Sequence, residues 1–104
     1  MVGEEKRRHS RLPVFLDCEL GGASALMRIS DFSTSGCFVD TRTPIQVGTP
    51  VTVAVRLAGS PLTLPGRVIH IQAGIGFGMQ FDELPAESRE VITRYLEGLE
   101  NPPL

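Results

Sequence analysis

The sequence has few of the residues on which several common kinds of site depend. Its 104 residues include no Trp, one Tyr, two Cys and two His. Barrels that bind single-stranded nucleic acid stack bases on aromatic side chains along a basic groove, so the scarcity of aromatics and the net charge of −2 argue against that function. Cys18 and Cys37 are too few for a disulfide framework or a zinc site. We therefore expect two reduced thiols in the core and no metal.

Catalytic motifs and long apolar runs are also missing. The sequence contains no Gly-x-Ser-x-Gly motif, and His9 and His70 are too far apart along the chain to suggest a serine-hydrolase triad. The longest stretch without a formal charge, Val68 to Phe81, contains three glycines and is too short to span a bilayer. The N-terminus is charged and carries no signal-peptide pattern. We expect a cytoplasmic protein that is not an enzyme and does not insert into membranes.

Short segments of alternating apolar and polar residues run through the chain, separated by many of its 11 Gly and 8 Pro. The alternation is clearest over residues 51–57 and over residues 75–81, where Ile75, Phe77, Met79 and Phe81 share one face. Weaker alternation predicts four more strands, over residues 14–20, 25–29, 37–41 and 62–71. The sequence therefore predicts about six strands.

The periodicity changes to that of a helix after Asp82. The apolar residues on one helical stripe are Leu84, Val91, Ile92, Tyr95, Leu96 and Leu99. Antiparallel strands in so short a chain must close or cover their edges. We predict a mainly β domain over residues 12–100, a small six-stranded antiparallel barrel with Greek-key-like links and a C-terminal helix over about residues 84–99. Residues 1–11 form a basic arm, and residues 101–104 form a tail.

The basic arm contains Lys6, Arg7, Arg8 and Arg11, whereas residues 12–104 carry more acidic than basic side chains. An acidic body with a basic arm favours a local anion site over a long polyphosphate track. Arginine forks bind phosphate oxygens, read guanine O6 and N7, and stack on bases. Taken alone, the arm is more typical of a run of charged residues exposed to solvent at the end of a chain.

A second candidate site is the segment from Asp31 to Gly36, which also contains Ser33 and Ser35. These residue types are typical of a tight turn, because Asp and Ser bond nearby backbone and Gly adopts unusual torsions. They also suit ligand binding, since a carboxylate accepts hydrogen bonds from a base edge and glycine allows close approach. Taken alone, the segment is more typical of a tight turn than of a ligand site.

Two further features carry less information about function. Gly74, Gly76 and Gly78 lie within a predicted strand and not between a strand and a helix, so we predict close packing of the helix or the arm there instead of a phosphate loop. His70, between two isoleucines on a predicted strand, is typical of a surface or hydrogen-bonded histidine.

The two candidate segments together resemble the PilZ domain family. Arg7-x-x-x-Arg11 precedes the first strand, and Asp31-x-Ser33-x-x-Gly36 follows at a strand end. The likeness covers essentially the whole chain, because that family is a six-stranded barrel with a C-terminal helix. Residues 76–81 look like its last strand.

This resemblance implies a bacterial receptor for the second messenger cyclic di-GMP. Arg7 and Arg11 would hold phosphates and stack on or bond a guanine, and Asp31 and Ser33 would contact the guanine edge. Gly36 would keep the surface open, and Lys6 and Arg8 could add contacts. The arm would become ordered around the nucleotide and signal to an unidentified protein target. The alternative is a PilZ-like interaction adaptor that works without nucleotide.

Overall fold

A computed structural model of the protein describes residues 11–21 and 26–100. Its elements are β1 (Leu12–Leu20), β2 (Leu26–Phe32), β3 (Gly36–Asp40), β4 (Pro50–Leu57), β5 (Ser60–Gln72), β6 (Gly76–Phe81) and α1 (Ala86–Glu100). The strands form a closed barrel in the order β1-β2-β3-β6-β5-β4, and every neighbouring pair is antiparallel. The predicted six-stranded barrel with one C-terminal helix is confirmed.

The period-2 alternation builds the barrel core. In β4, Val51, Val53, Val55 and Leu57 are buried, whereas the residues between them are half-buried or exposed. Side chains of directly paired residues on neighbouring strands share a face. One inward row therefore crosses four strands, with paired residues at Phe32, Cys37, Met79 and Val68, each 1 % exposed or less. This row fixes which residues of the same strands face outward.

The helix packs part of its predicted stripe onto the barrel. Ile92 and Leu96 are buried, and the Tyr95 ring meets the Phe32 ring edge-on with centroids 6.5 Å apart. Leu99, at the C-terminal end of the predicted stripe, is 42 % exposed. The helix begins at Ala86, about two residues later than predicted. It has neither the length nor the hydropathy to cross a membrane, and no other helix occurs in the described residues.

Two predicted segment boundaries change where important residues lie. β2 runs to Phe32, so Asp31 belongs to the strand and only residues 33–35 connect β2 to β3. Ile75 lies outside β6 and is 56 % exposed, so its predicted position beside Phe77 on the inner face is wrong. The physical reason is a hairpin turn, in which the Ile75 N–H donates to the Gln72 carbonyl at 3.0 Å and Gly74 has φ 76°.

Candidate functional site

The β2–β3 connection is a tight turn organised around the hydroxyl of Ser33. The Ser33 oxygen accepts hydrogen bonds from the backbone N–H groups of Ser35 and Gly36, both at 3.2 Å. The Ser33 N–H donates to the Gly36 carbonyl at 2.9 Å. The turn is also fastened to the last strand, since the Phe81 N–H donates to the Ser35 carbonyl at 2.8 Å. Ser33 is 1 % exposed, and its predicted contact with a guanine edge stays a prediction.

Gly36 is buried at the start of β3, where it faces the backbone of β6. A Cβ at this position would overlap the carbonyl oxygen of Met79. Glycine is therefore required here by the approach of two strands. The predicted role of Gly36 in keeping the ligand surface open stays a prediction.

Arg11 and Asp31 meet on the outside of the barrel. The Arg11 Nη1 lies 2.7 Å from the Asp31 Oδ1, and the two side chains are 38 % and 34 % exposed. Arg11 comes just before β1 and Asp31 lies near the end of β2, whose antiparallel pairing brings them together. The structure thus joins one residue from each half of the predicted motif. Lys6, Arg7 and Arg8 lie outside the described residues.

Asp31 is the second residue of a row that crosses five strands on the outer face, which we call the outer row. Its members, paired from β1 to β5, are Pro13, Asp31, Phe38, Gly78 and His70. The Phe38 and His70 ring centroids are 5.8 Å apart at an interplanar angle of 34°. Phe38 is only 8 % exposed although it faces outward. The outer row has a carboxylate near one end and an exposed imidazole at the other.

Gly78 leaves the space that the His70 ring occupies. A Cβ at this position would collide with the ring of His70, which lies across the glycine towards Phe38. Gly76 has a similar contact, since a Cβ there would overlap the carbonyl oxygen of Val39 on β3. The prediction that the helix packs closely on these glycines is therefore wrong, whereas residues 1–10 of the arm lie outside the described residues and their packing there stays a prediction. The close neighbours are strand backbone and the His70 ring.

His70 is the residue near the motif whose position the sequence alone does not indicate. Its place opposite Gly78 depends on a bulge in β5, where the register shifts between Val68 and His70. No local pattern marks that bulge. The sequence offers only a weak indication of this position, because it places a histidine on one predicted strand and several glycines on the next.

Both cysteines lie on the interior side of the barrel and are free thiols, 2 % exposed or less. Burial raises the pKa of the Cys18 thiol to about 11, and the neighbouring Asp17 and Asp40 carboxylates add to this rise. Burial also raises the pKa of the Cys37 thiol, with smaller contributions from Cys18 and Asp31. The expected core placement of both thiols is confirmed, and protonated thiols are poor nucleophiles.

Two cavities lined by described residues lie away from the motif. A cavity of about 500 Å³ opens where β1 leaves β4, with Phe15, Glu19 and Leu62 among its lining residues. Neither Arg11 nor Asp31 lines it. Residues 11–21 and 26–100 contain no cluster of three or more His, Cys, Asp or Glu side chains suited to a metal ion. The outer row with its Arg11–Asp31 pair therefore remains the candidate site.

Comparison with known proteins assigns the family. The profile of the PilZ domain matches residues 5–98, and the chain belongs to the PilZ domain family. The search of curated proteins gave no significant match. Among solved structures, the chain is similar to the PilZ domain of CeSA from a cellulose-synthesizing bacterium, with 26% identity and a TM-score of 0.66, over 88% of this chain and 99% of that one.

Two more distant structures share the fold. One is the Borreliella burgdorferi PlzA protein in complex with c-di-GMP, with 17% identity and a TM-score of 0.64, over 90% of this chain and 42% of PlzA. The other is the Bacillus subtilis inhibitor of motility, MotI/DgrA, with 14% identity and a TM-score of 0.71, over 94% of this chain and 53% of MotI. This chain thus spans about half or less of each of those two proteins.

Proposed function

We propose that this PilZ domain is a non-enzymatic receptor for cyclic di-GMP and that it signals to a protein partner. The observation that carries the proposal is the Arg11–Asp31 ion pair, which brings the two halves of the sequence motif together on the barrel surface. The complex of PlzA with c-di-GMP is a property of that protein, and it supports the choice of ligand only through the shared fold.

The exposure of the ion pair suits an exchange of partners. An exposed pair contributes at most about 1 kcal/mol to stability, so a ligand can replace one member at little cost. The guanine N1–H and N2–H₂ groups are donors that the Asp31 carboxylate can accept, and the released Arg11 fork matches a phosphate or the guanine O6 and N7. Both groups of the pair therefore have a matching atom on the same nucleotide.

The exposed His70 ring of the outer row suits a planar base. His70 is exposed at one end and covers Phe38, so an aromatic ring could lie against the imidazole face without displacing a side chain. Ser33 and Gly36 act on this surface from beneath, because they fix the turn that follows Asp31. Arg7 would supply the second arginine, as the spacing Arg7-x-x-x-Arg11 suggests.

Isothermal titration of the full chain with cyclic di-GMP tests the proposal, with GTP and cyclic di-AMP as comparison ligands. We expect selective binding of one or two cyclic di-GMP molecules per chain. Asp31→Ala and Arg11→Ala should each weaken it by about tenfold or more, since a good arginine–guanine pair contributes about 1–3 kcal/mol. The matched controls are Glu90→Ala and Arg94→Ala, because those residues form another exposed ion pair, 3.3 Å long, on α1.

The outcomes separate the two candidate functions. Loss of affinity in the Arg11 and Asp31 variants alone supports the nucleotide receptor. Equal affinity in all four variants would show that the nucleotide binds elsewhere. No binding by the wild-type chain would replace the receptor with the nucleotide-independent adaptor.

A further inference from the structure

Exposed aliphatic side chains are concentrated at the end of the barrel formed by the second half of β5. Six large hydrophobic side chains are exposed among the described residues, and four of them belong to this region. They are Val47, Ile69, Ile71 and Ile75, with exposures of 62 %, 42 %, 40 % and 56 %, and we call them the aliphatic patch. Isolated exposed hydrophobics are ordinary, but a group of this kind marks an interaction surface.

Backbone hydrogen bonds show that the patch is continuous. The β3–β4 loop lies along β5, because the Gly48 N–H donates to the Val68 carbonyl at 2.8 Å and the Val68 N–H donates to the Thr49 carbonyl at 2.9 Å. The same loop meets the β5–β6 turn, where the Thr41 N–H donates to the Ile75 carbonyl at 3.0 Å. Val47 is therefore held beside Ile69.

A cavity of about 280 Å³ lies between the loop and the turn. Its lining includes the apolar residues Ile45, Ile71 and Ala73 and the charged residue Arg42. The cavity is large enough to receive a side chain from another molecule. Buried anchors in such pockets contribute much of the binding energy of protein interfaces.

The charge of this region is distinct from that of the rest of the molecule. The sequence has no Asp or Glu between Thr41 and Phe81, whereas it contains three arginines there. Two of them, Arg42 and Arg67, are exposed next to the patch and form no ion pair within the described residues. By contrast, residues 82–100 have six acidic side chains and two basic ones. The patch is thus an apolar surface with a cationic edge.

We propose that the aliphatic patch and the two arginines form the docking surface for a partner protein whose contact segment combines apolar side chains with Asp or Glu. Arginine is enriched in protein interfaces, and opposite charges around an apolar centre fix the orientation of the partner. An acidic segment would bring carboxylates to Arg42 and Arg67 and an apolar side chain to the cavity. Charge complementarity selects this occupant.

The same charges disfavour two other occupants. Two copies of the patch facing each other would place arginine against arginine, and docking of the acidic helix of a second copy would be a head-to-tail contact, which continues into a filament unless its rotation closes a ring. A lipid surface is usually bound through several Lys and Arg with Trp or Tyr at the interface. This chain has one Lys and no Trp.

The docking surface adjoins the candidate nucleotide site. His70 is the last member of the outer row and lies between Ile69 and Ile71 in the sequence. A partner on the patch would contact the same segment of β5 that carries His70, which gives the nucleotide a means of changing the affinity for the partner through that strand. Only this coupling depends on the proposed function, because the patch and its arginines are present without nucleotide.

Photo-crosslinking with the full chain in its own cells tests the surface. A photo-reactive amino acid replaces Ile75 in the patch or, as the control, Leu99 on α1, which is exposed to a similar degree. We expect a protein cross-linked from position 75 and not from position 99, at a segment that contains both Asp or Glu and apolar residues. Arg42→Glu or Arg67→Glu should lower the yield by about fivefold or more, whereas Arg94→Glu on the helix should not.

Four results would overturn the proposal. The first is equal cross-linking from positions 75 and 99, and the second is cross-linking to a second copy of this chain together with dimers in sedimentation. The third is a cross-linked partner segment that contains no acidic residue. The fourth is co-sedimentation of the purified chain with phosphatidylglycerol vesicles, if Arg42→Glu abolishes it. The Asp31→Ala variant distinguishes failure of the docking proposal from failure of the receptor proposal. In nucleotide-free extract that variant should still cross-link from position 75, even if no nucleotide ever binds to the chain.

Discussion

The two faces of the β2–β3 connection differ in what they contribute to the molecule. On the outer face, Asp31 is about one-third exposed and has an ion pair with Arg11. Beneath this surface, on what we call the inner face of the connection, Ser33 and Cys37 are buried, and Gly36 is buried against the β6 backbone although its partner Gln80 is exposed. Residues of one short sequence motif thus belong to different physical environments. The outer residue can exchange its partner for a ligand, whereas the inner residues set the shape of the surface.

The largest effect should come from Gly36→Ala. The added methyl group would overlap the Met79 carbonyl oxygen, and neither strand can move away without breaking the barrel hydrogen bonds. We expect a loss of about 3 kcal/mol or more in the free energy of unfolding. Equilibrium unfolding in urea measures it. If the variant is stable and has lost only nucleotide binding, Gly36 contacts the ligand, as the outer residue Asp31 is proposed to do.

Gly98→Ala is the matched control for that substitution. Gly98 lies in α1, and a Cβ there meets no atom within 4 Å. Alanine has the higher helix propensity, so this variant should gain about 0.5–1 kcal/mol. A loss of stability at position 36 and a gain at position 98 would show that close packing around the glycine determines the effect of the substitution.

Ser33→Ala should have the next largest effect. It removes the oxygen that accepts the N–H groups of Ser35 and Gly36 and leaves the buried Gly36 amide without its side-chain partner. We expect a loss of about 2 kcal/mol in urea unfolding, against less than about 1 kcal/mol for Asp31→Ala, whose ion pair is exposed. Equal losses in these two variants would contradict the distinction between the faces.

Much of the fold follows from the sequence because the signals are local and repeated. The alternation in residues 51–57 specifies which side chains of β4 are buried, and the change of period after Asp82 specifies a helix. Errors occur at the ends of elements, where one contact decides. Leu99 continues the apolar stripe in sequence, yet its side chain is 42 % exposed, whereas Ile92 and Leu96 are buried.

The candidate site is less completely predictable for a physical reason. The residue types of Arg11 and Asp31 indicate anion and guanine binding, and the barrel pairing then brings them together. The burial of Ser33 depends on contacts with neighbouring backbone, and the position of His70 depends on the bulge in β5. Both are consequences of strand register and not of residue type. A sequence motif alone therefore does not distinguish residues that contact a ligand from residues that hold the turn in place.

The buried thiols offer a smaller test of the inner face. The unfolded Cys18 thiol ionises with a pKa near 9.0, whereas burial raises the pKa in the folded protein to about 11. Between these values the unfolded state loses its proton while the folded state keeps it, so stability must fall as pH rises through this window. We expect a loss of about 2 kcal/mol or less from Cys18 by pH 10.5, relative to pH 8. Burial also raises the pKa of Cys37 and of Tyr95, which act in the same direction.

Urea unfolding at the two pH values should therefore show a smaller pH-dependent loss in Cys18→Ala than in the wild-type chain, although the variant is less stable at both. An equal loss in the two proteins would mean that Cys18 is accessible to water, and the inner face would then be less tightly closed than its packing indicates.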